Sequence, residues 1–302
     1  MTPEDPIGGW FNDIEGHWAA RWIEKLAEEG IVAGDPDGGY DPNDPVTRAQ
    51  MAVMIYNAMM WNKETSKGLA YVHQSEFPDD VGILNCIWYY GWGPTGNLSD
   101  DKYVPMYRGG ADNPWLTLPE DYDGYILLFN EPNNPEPYGA DLDPVDAALK
   151  YQEALAYHPN AKFIVGGVSA FCDVVGFYGY DWVVPFLAEL DSLEVEHPDT
   201  WHIHGYAEAW ITSDDLIEWW RKHRQLTGAD YWVTECGAPN GSMEDFVKMI
   251  EFFKCTGWIK RYAAFTNRLS GDEPWCVPGW ELTVPLVHWD GGLTEMGEYY
   301  IG

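Results

Sequence analysis

A chain of 302 residues has room for one domain of about 200 residues or more plus a small extra module, and 46% hydrophobic content supports a sizeable core. The formal charge of −32, from 17 Lys plus Arg against 49 Asp plus Glu, argues against nucleic acid or an anionic membrane as a partner, since phosphate contact needs clustered cations. No apolar run is long enough to cross a bilayer, so the balance fits a soluble protein acting on a neutral polymer.

Aromatic residues make up 16% of the chain, with 17 Trp. Their flat apolar faces and polar edges suit the C–H face of a sugar ring, although many must be core. The five cysteines (Cys86, Cys172, Cys236, Cys255 and Cys276) show no CxxC spacing, so neither a zinc site nor an obligatory disulfide framework is read. Met1-Thr-Pro-Glu-Asp5 has neither a basic start nor an apolar stretch of the secretory kind. With no signal peptide visible, export calls for a leader already removed or for another route.

In chain order, Trp18, Trp22, Ile23 and Leu26 fall at helical spacing, and Gly30 closes that predicted helix. The acidic loop from Gly34 to Pro45 lacks the EF-hand spacing and reads as a turn-rich connector. Thr47-Arg-Ala-Gln50 opens a second helix as a capping box, with Met51, Met54, Ile55 and Ala58 as its apolar face. Residues 62–67 are polar and read as a linker between a module at 1–61 and a domain at 68–302.

Beyond the linker, strand and helix signals alternate, the pattern of an α/β protein. Strands are predicted at 68–72, 83–90, 103–107, 125–129, 163–167, 201–205, 231–234 and 261–266. Asp143-Pro144, Ser213-Asp-Asp215 and Ser242-Met-Glu-Asp245 are helix N-termini, and Gly228 and Gly257 are C-terminal glycines. Eight strands in this length suit a compact (β/α)8 TIM barrel. Glu131 then ends the fourth strand and Glu235 the seventh, so the two carboxylates face each other across the barrel mouth. A glycosidase needs such a pair, one to protonate the leaving oxygen and one to attack or to activate water. Against this stands the reading of both as ordinary loop acids.

The first segment resembles the S-layer homology (SLH) module through Phe11-x-Asp13, Gly16-His-Trp-Ala19, Gly34-x-Pro36-Asp-Gly38, Tyr40-x-Pro42 and Thr47-Arg-Ala-Gln-Met-Ala52. The resemblance implies binding to a bacterial cell-wall polysaccharide, with Arg48 as a cation for an acidic sugar substituent; the other reading of Arg48 is a solvated helix residue. Such modules usually occur three in a row, so a lone one raises homotrimerisation as a way to complete the site.

The larger segment resembles the β-1,3-glucanases of glycoside hydrolase family 128. The matching stretches are Trp88-Tyr-Tyr-Gly-Trp-Gly-Pro94, Val104-Pro-Met106, Phe129-Asn-Glu-Pro132, His204-Gly-Tyr206, Trp232-Val-Thr-Glu235 and Leu293-Thr with Gly297 and Tyr299. The resemblance implies a retaining endo-β-1,3-glucanase with Glu131 as general acid/base and Glu235 as nucleophile, needing no metal or other cofactor. It implies a 2-OH contact for Asn130, an orienting role for Tyr206 and a place on the same face for His204, which otherwise reads as a core histidine. Tyr90, Trp92, Trp210 and Trp280 are candidate sugar platforms or packing residues. Two positions depart from the family: Arg108, where an aromatic is usual, and Cys236, where a bulky apolar residue is usual. Rival readings are hydrolysis of another β-glycan, such as a 1,4-glucan or a mannan, and a non-catalytic cell-surface carbohydrate-binding protein. Under any of these the expected place is extracellular or cell-surface associated.

Overall fold

The computed structural model describes residues 9–28, 31–35, 38–61, 66–94, 96–109, 117–136, 138–170, 179–273, 276 and 278–302. The chain divides into two compact units, residues 1–65 with 251–259 and residues 66–250 with 260–302.

The first unit carries helices α1 (Ala20–Glu28) and α2 (Arg48–Trp61). Its small core is Ala27, Ile31 and Val32, packed by Trp10, Phe11, Leu26, Tyr40 and Met54. The acidic loop is folded by Asp13, whose carboxylate accepts the amides of Tyr40 (2.9 Å) and Asp41 (2.7 Å). Those backbone bonds hold its carboxyl below the usual range. The predicted capping box is present: Thr47 Oγ1 accepts the Gln50 amide at 3.2 Å, and Gln50 Oε1 accepts the Thr47 amide at 2.9 Å. The predicted apolar faces need correction. Trp18 precedes α1 and is 85% exposed and Trp22 is exposed, while Ile23 and Leu26 face inward as expected, together with Ala27. Of the four residues of the predicted α2 face, Met54 packs against the core, while Met51, Ile55 and Ala58 are exposed. Gly30 lies outside the described residues, as do 62–65 of the predicted linker.

Residues 66–302 hold the eight predicted strands: β1 (Ser66–Ala70), β2 (Trp88–Tyr90), β3 (Met106–Tyr107), β4 (Tyr125–Leu128), β5 (Lys162–Ser169), β6 (Thr200–Tyr206), β7 (Asp230–Gly237) and β8 (Ile259–Phe265). They form one sheet in the order β2-β1-β8-β7-β6-β5-β4-β3. A parallel bridge between Tyr89 and Tyr103 joins the two ends, so the sheet is a nearly closed (β/α)8 barrel. The helices are α3 (Asp80–Ile83), α4 (Pro144–Tyr157), α5 (Tyr180–Ser192), α6 (Ser213–Thr227), α7 (Met243–Cys255), α8 (Trp280–Thr283) and α9 (Glu295–Ile301).

Boundaries shift for identifiable reasons. Ser66 and Lys67, read as the end of the linker, pair with Arg261 and Tyr262 and so start β1. The second predicted strand keeps only its last three residues, because Asp80–Ile83 is a helical turn and Asn85 is left-handed at φ 56°. Asp80 is buried in a forked pair with Arg268, Nη2 to Oδ1 at 2.8 Å and Nε to Oδ2 at 2.9 Å, and Asn267 adds a third donor at 2.8 Å. That pair ties α3 to the segment after β8. Asp143 caps α4 as predicted, accepting the Val145 amide at 2.9 Å. The cap of α6 is Thr212 rather than Ser213, in a capping box with Asp215; Ser213 Oγ instead donates to Asp245 Oδ1 at 2.7 Å. Gly228 closes α6 in the left-handed region, which an L side chain would resist.

Alternation along the strands fills the barrel. Ala70, Trp88, Tyr90, Met106, Leu127, Ile164, Trp232, Ala263 and Phe265 meet in one buried cluster. Toward one end the Arg261 guanidinium lies 4.2 Å from the Trp232 ring centroid and 4.7 Å from that of Tyr125. On β6 the inward positions go instead to His202, His204 and Tyr206, which puts polar groups in the barrel beside both glutamates.

Candidate active site

Glu131 stands three residues past β4, on backbone that turns sharply. Phe129 (φ 76°) and Glu131 (φ 44°) are both left-handed, a conformation costing about 1–2 kcal/mol for each L residue. Neighbouring strands hold them there: the Phe129 amide donates to Tyr107 O (2.7 Å), that of Asn130 to Arg108 O (2.8 Å) and that of Glu131 to Gly167 O (2.8 Å). Gly167 sits at a register shift in β5, and a Cβ on it would come within 2.7 Å of the His202 ring and 3.0 Å of Phe129 O.

Glu235, expected to end the seventh strand, lies inside β7, two residues before its end. Between Ile203 and His204 the β6–β7 register slips by one residue on β7. Such a bulge lets the consecutive residues Thr234 and Glu235 both turn into the barrel. Thr234 Oγ1 meets His202 Nδ1 at 2.9 Å, and Glu235 reaches the mouth.

Around the carboxylates the partners are closely set. Glu235 Oε1 accepts from Tyr90 Oη (2.7 Å) and Trp92 Nε1 (3.0 Å), while Oε2 accepts from Tyr206 Oη. Glu131 Oε2 accepts from Asn134 Nδ2 at 2.7 Å, and its Oε1 meets His204 Nδ1 at 3.0 Å. The same nitrogen lies 3.4 Å from Glu235 Oε2, so His204 joins the two acids. One oxygen of Glu131 and one of Glu235 lie within 4.8 Å of each other. Because carboxylates only accept, His204 Nδ1 carries a proton. His202 Nε2 faces the Leu128 carbonyl at 3.1 Å, so that nitrogen carries the proton there and Nδ1 accepts from Thr234.

Charge follows from these contacts. Burial pushes Glu235 up, with neighbouring Glu131 adding to the rise; His204 and the hydroxyls of Tyr206 and Tyr90 pull the other way. The phenols of Tyr90 and Tyr206 are driven far above their ordinary value by burial and the adjacent carboxylates, so they stay donors. His202 falls to about 3, chiefly through burial, and stays neutral. For His204 burial works against the charge, yet Glu235 and then Glu131 hold the imidazolium above the ordinary value.

That shift gives an expected pH dependence. A favoured imidazolium adds stability that is complete below the unfolded value of about 6.5 and is lost as pH climbs through the raised folded value. Glu235, raised as well, acts in the same sense from a lower starting value. Thermal unfolding of the wild type and His204→Asn across this range should show a gap that narrows as pH rises. A gap independent of pH would mean His204 is held neutral.

A cleft of about 350 Å3 opens over the pair, lined by Trp92, Arg108, Asn130, Glu131, Glu136, Tyr138, Tyr206, Glu235, Phe265 and Trp280. One wall is aromatic: Tyr206 lies 5.4 Å from Trp280 and 5.8 Å from Phe265, and Trp92 lies 5.8 Å from Phe265. The other is polar, with Asn130 and the Arg108–Glu136 ion pair.

The expected residues separate here. Glu131, Glu235, Asn130, Tyr206, Trp92 and Trp280 line one cleft, and His204 lies buried against both acids. Tyr90 is fully buried and cannot offer a ring face to sugar; it meets the site only through its hydroxyl. Trp210 is exposed between β6 and α6 and is absent from the lining. Arg48 is exposed at the first position of α2. Asn134, Glu136, Tyr138 and Phe265 were not foreseen; the nearest signal was the Pro/Asn-rich turn directly after Glu131.

Comparison with known proteins agrees with this architecture. Residues 68–300 match the glycosyl hydrolase catalytic core family, and residues 11–52 match the S-layer homology domain. Over 109 residues the chain is 36% identical to the outer membrane protein SlpA of Thermus thermophilus, a match covering 35% of this chain and 10% of that protein. The chain spans a tenth or less of the length of such curated relatives. Among solved structures, a family 128 (subgroup II) endo-β-1,3-glucanase from Pseudomonas viridiflava shares the fold, with TM-score 0.59, 23% identity, and coverage of 80% of this chain and 98% of that one. A subgroup I endo-β-1,3-glucanase variant from Amycolatopsis mediterranei, solved with laminaripentaose, gives TM-score 0.59, 18% identity, and coverage of 79% and 99%. With paired acids at the barrel mouth and a match over most of its length, the chain belongs to the glycosyl hydrolase catalytic core family and carries an S-layer homology domain at residues 11–52.

Proposed function

We propose that this glycoside hydrolase is a retaining endo-β-1,3-glucanase, with Glu131 as general acid/base and Glu235 as nucleophile. The observation that carries the mechanism is that one oxygen of Glu131 comes within 4.8 Å of one oxygen of Glu235. A retaining pair stands about 5–5.5 Å apart, whereas an inverting pair leaves about 6.5–9.5 Å for a water molecule. In the first step Glu235 attacks the anomeric carbon while Glu131 protonates the departing glycosidic oxygen. A glycosyl ester forms on Glu235, and the shortened glucan leaves with the proton. In the second step Glu131 takes a proton from water, whose oxygen attacks the same carbon, and the ester bond breaks to restore Glu235.

Three donors aimed at Glu235 favour its anion against the burial that raises it. Once Glu235 is esterified its charge is gone, and Glu131, having given up its proton in the first step, is the base for the second. Asn130 lines the cleft beside Glu131, where it serves the 2-OH of the bound sugar, and the aromatic wall of Trp92, Tyr206 and Trp280 supports ring faces. Support for a β-1,3-glucan comes from the named activities of the structural neighbours and from the laminaripentaose bound to one of them. The module at residues 1–61 serves attachment to a cell-wall polysaccharide through Arg48, placing the enzyme at a bacterial cell surface; this reading rests on the matched domain.

Product analysis on linear β-1,3-glucan, with β-1,4-glucan and mannan alongside, tests the assignment. Short 1,3-linked oligosaccharides of several lengths from the first substrate alone are expected. Products only from another glycan would reassign the linkage, and a single released sugar size would replace endo with exo action.

A further inference from the structure

Arg108 departs from the expected family pattern and takes no part in the steps above. It follows β3, and its side chain crosses to the loop that begins with Glu131. Nη1 meets Glu136 Oε1 at 2.7 Å and Nη2 meets Oε2 at 3.3 Å, while Nη2 also donates to Gly139 O at 2.7 Å and Tyr138 O at 3.4 Å. Its carbonyl accepts the Asn130 amide at 2.8 Å. One residue thus grips both ends of the turn that carries the acid.

The gripped loop folds back on itself. The amides of Ala140, Asp141 and Leu142 donate to the carbonyls of Asn130, Asn134 and Pro132, each at 2.9 Å. Gly139 lets the strands of this loop touch, since a Cβ there would lie 2.2 Å from Glu131 O. Inside it, Asn134 Nδ2 donates to Glu131 Oε2 at 2.7 Å. Of the two Glu131 oxygens, one is therefore held by His204 from β6 and the other by this loop. A loop of such shape must offset its ordering entropy, and a planar guanidinium satisfying a carboxylate and two carbonyls at once is suited to that.

We infer that Arg108 is a positioning residue for the acid/base: it fastens residues 131–142 to β3 and so keeps Asn134 against Glu131. This inference rests on the reading of Glu131 as the acid/base. The test compares wild type with Arg108→Met, which keeps the stem without the fork, and Arg108→Lys, which keeps only a point charge. Hydrogen exchange of the Ala140, Asp141 and Leu142 amides should speed up about tenfold or more in both variants. On β-1,3-glucan, kcat should fall about tenfold with KM within about twofold, because a displaced acid costs rate rather than binding. On an aryl β-glycoside whose leaving group needs no proton, kcat/KM, which reports the first step alone, should lose far less.

Exchange is read without substrate, so it reports on the clamp even if the glucan proves to be the wrong polymer. Unchanged exchange overturns the clamp. Full rescue by Lys overturns the fork, and a rise in KM alone, with exchange unchanged, would make Arg108 a direct sugar contact instead.

Discussion

Glu235→Gln should leave the protein folded and reduce kcat on β-1,3-glucan by about four orders of magnitude or more, the scale seen when a covalent nucleophile is removed. The amide is nearly isosteric and cannot form the glycosyl ester. Folding should survive because burial already disfavours the Glu235 charge, so a neutral replacement removes a cost of desolvation. One partner is lost: the amide nitrogen cannot accept, so one of the Tyr90 and Tyr206 hydroxyls must turn elsewhere. The measurement is kcat by reducing ends, with circular dichroism and melting temperature as controls. Glu235→Gly adds a test of role. A small anion such as azide can enter the space left and attack the anomeric carbon from the vacated face, giving a glycosyl azide of inverted configuration. Retained hydrolysis in Glu235→Gln would sink the nucleophile assignment.

Glu131→Gln should lower kcat on the glucan by about 10²–10⁴, the range contributed by general acid–base catalysis. It should do so selectively. With an activated aryl glycoside the first step needs no acid, so the ester on Glu235 still forms and accumulates as a burst of released phenol. Deglycosylation then lacks its base. Azide, which needs no base, should restore turnover in Glu131→Gly and yield the azide of retained configuration. Opposite responses of the two variants would exchange the roles of the glutamates. In Glu131→Gln the amide keeps one acceptor oxygen, so either Asn134 or His204 loses its partner, and a modest fall in melting temperature is expected beside the kinetic loss.

Much of the ladder of elements was legible locally. Apolar runs ending in turn residues marked β4 and β7, and with them the glutamates. Thr47 with Gln50 and Asp143 with Pro144 marked helix starts, because a cap is a bond between residues two or three apart. Prediction failed where distant residues decide. The apolar residues Ile83, Leu84 and Cys86 look like strand and extend the second predicted strand five residues too far, while Asp80 is fixed in a helical turn by Arg268, 188 positions away. The apolar faces drawn for α1 and α2 overshot because hydrophobic spacing alone cannot say which of several apolar residues finds a core to pack on.

Sequence alone determined which residue types stand at the strand tips: two acids, an asparagine beside one of them, and a supply of aromatics, all properties of short segments. Only the tertiary structure decided their uses. Tyr90 and Trp92 are two residues apart and equally plausible as platforms, yet the barrel buries one ring and opens the other to the cleft. His204 could have been core or site; closure of the sheet sets it between two carboxylates 73 and 31 residues from it in sequence, the first by hydrogen bond and the second by contact. Periodicity tells inside from outside along one strand. It carries no information about height in the barrel or about which strand lies opposite, and those two quantities are what bring Glu131, His204 and Glu235 together.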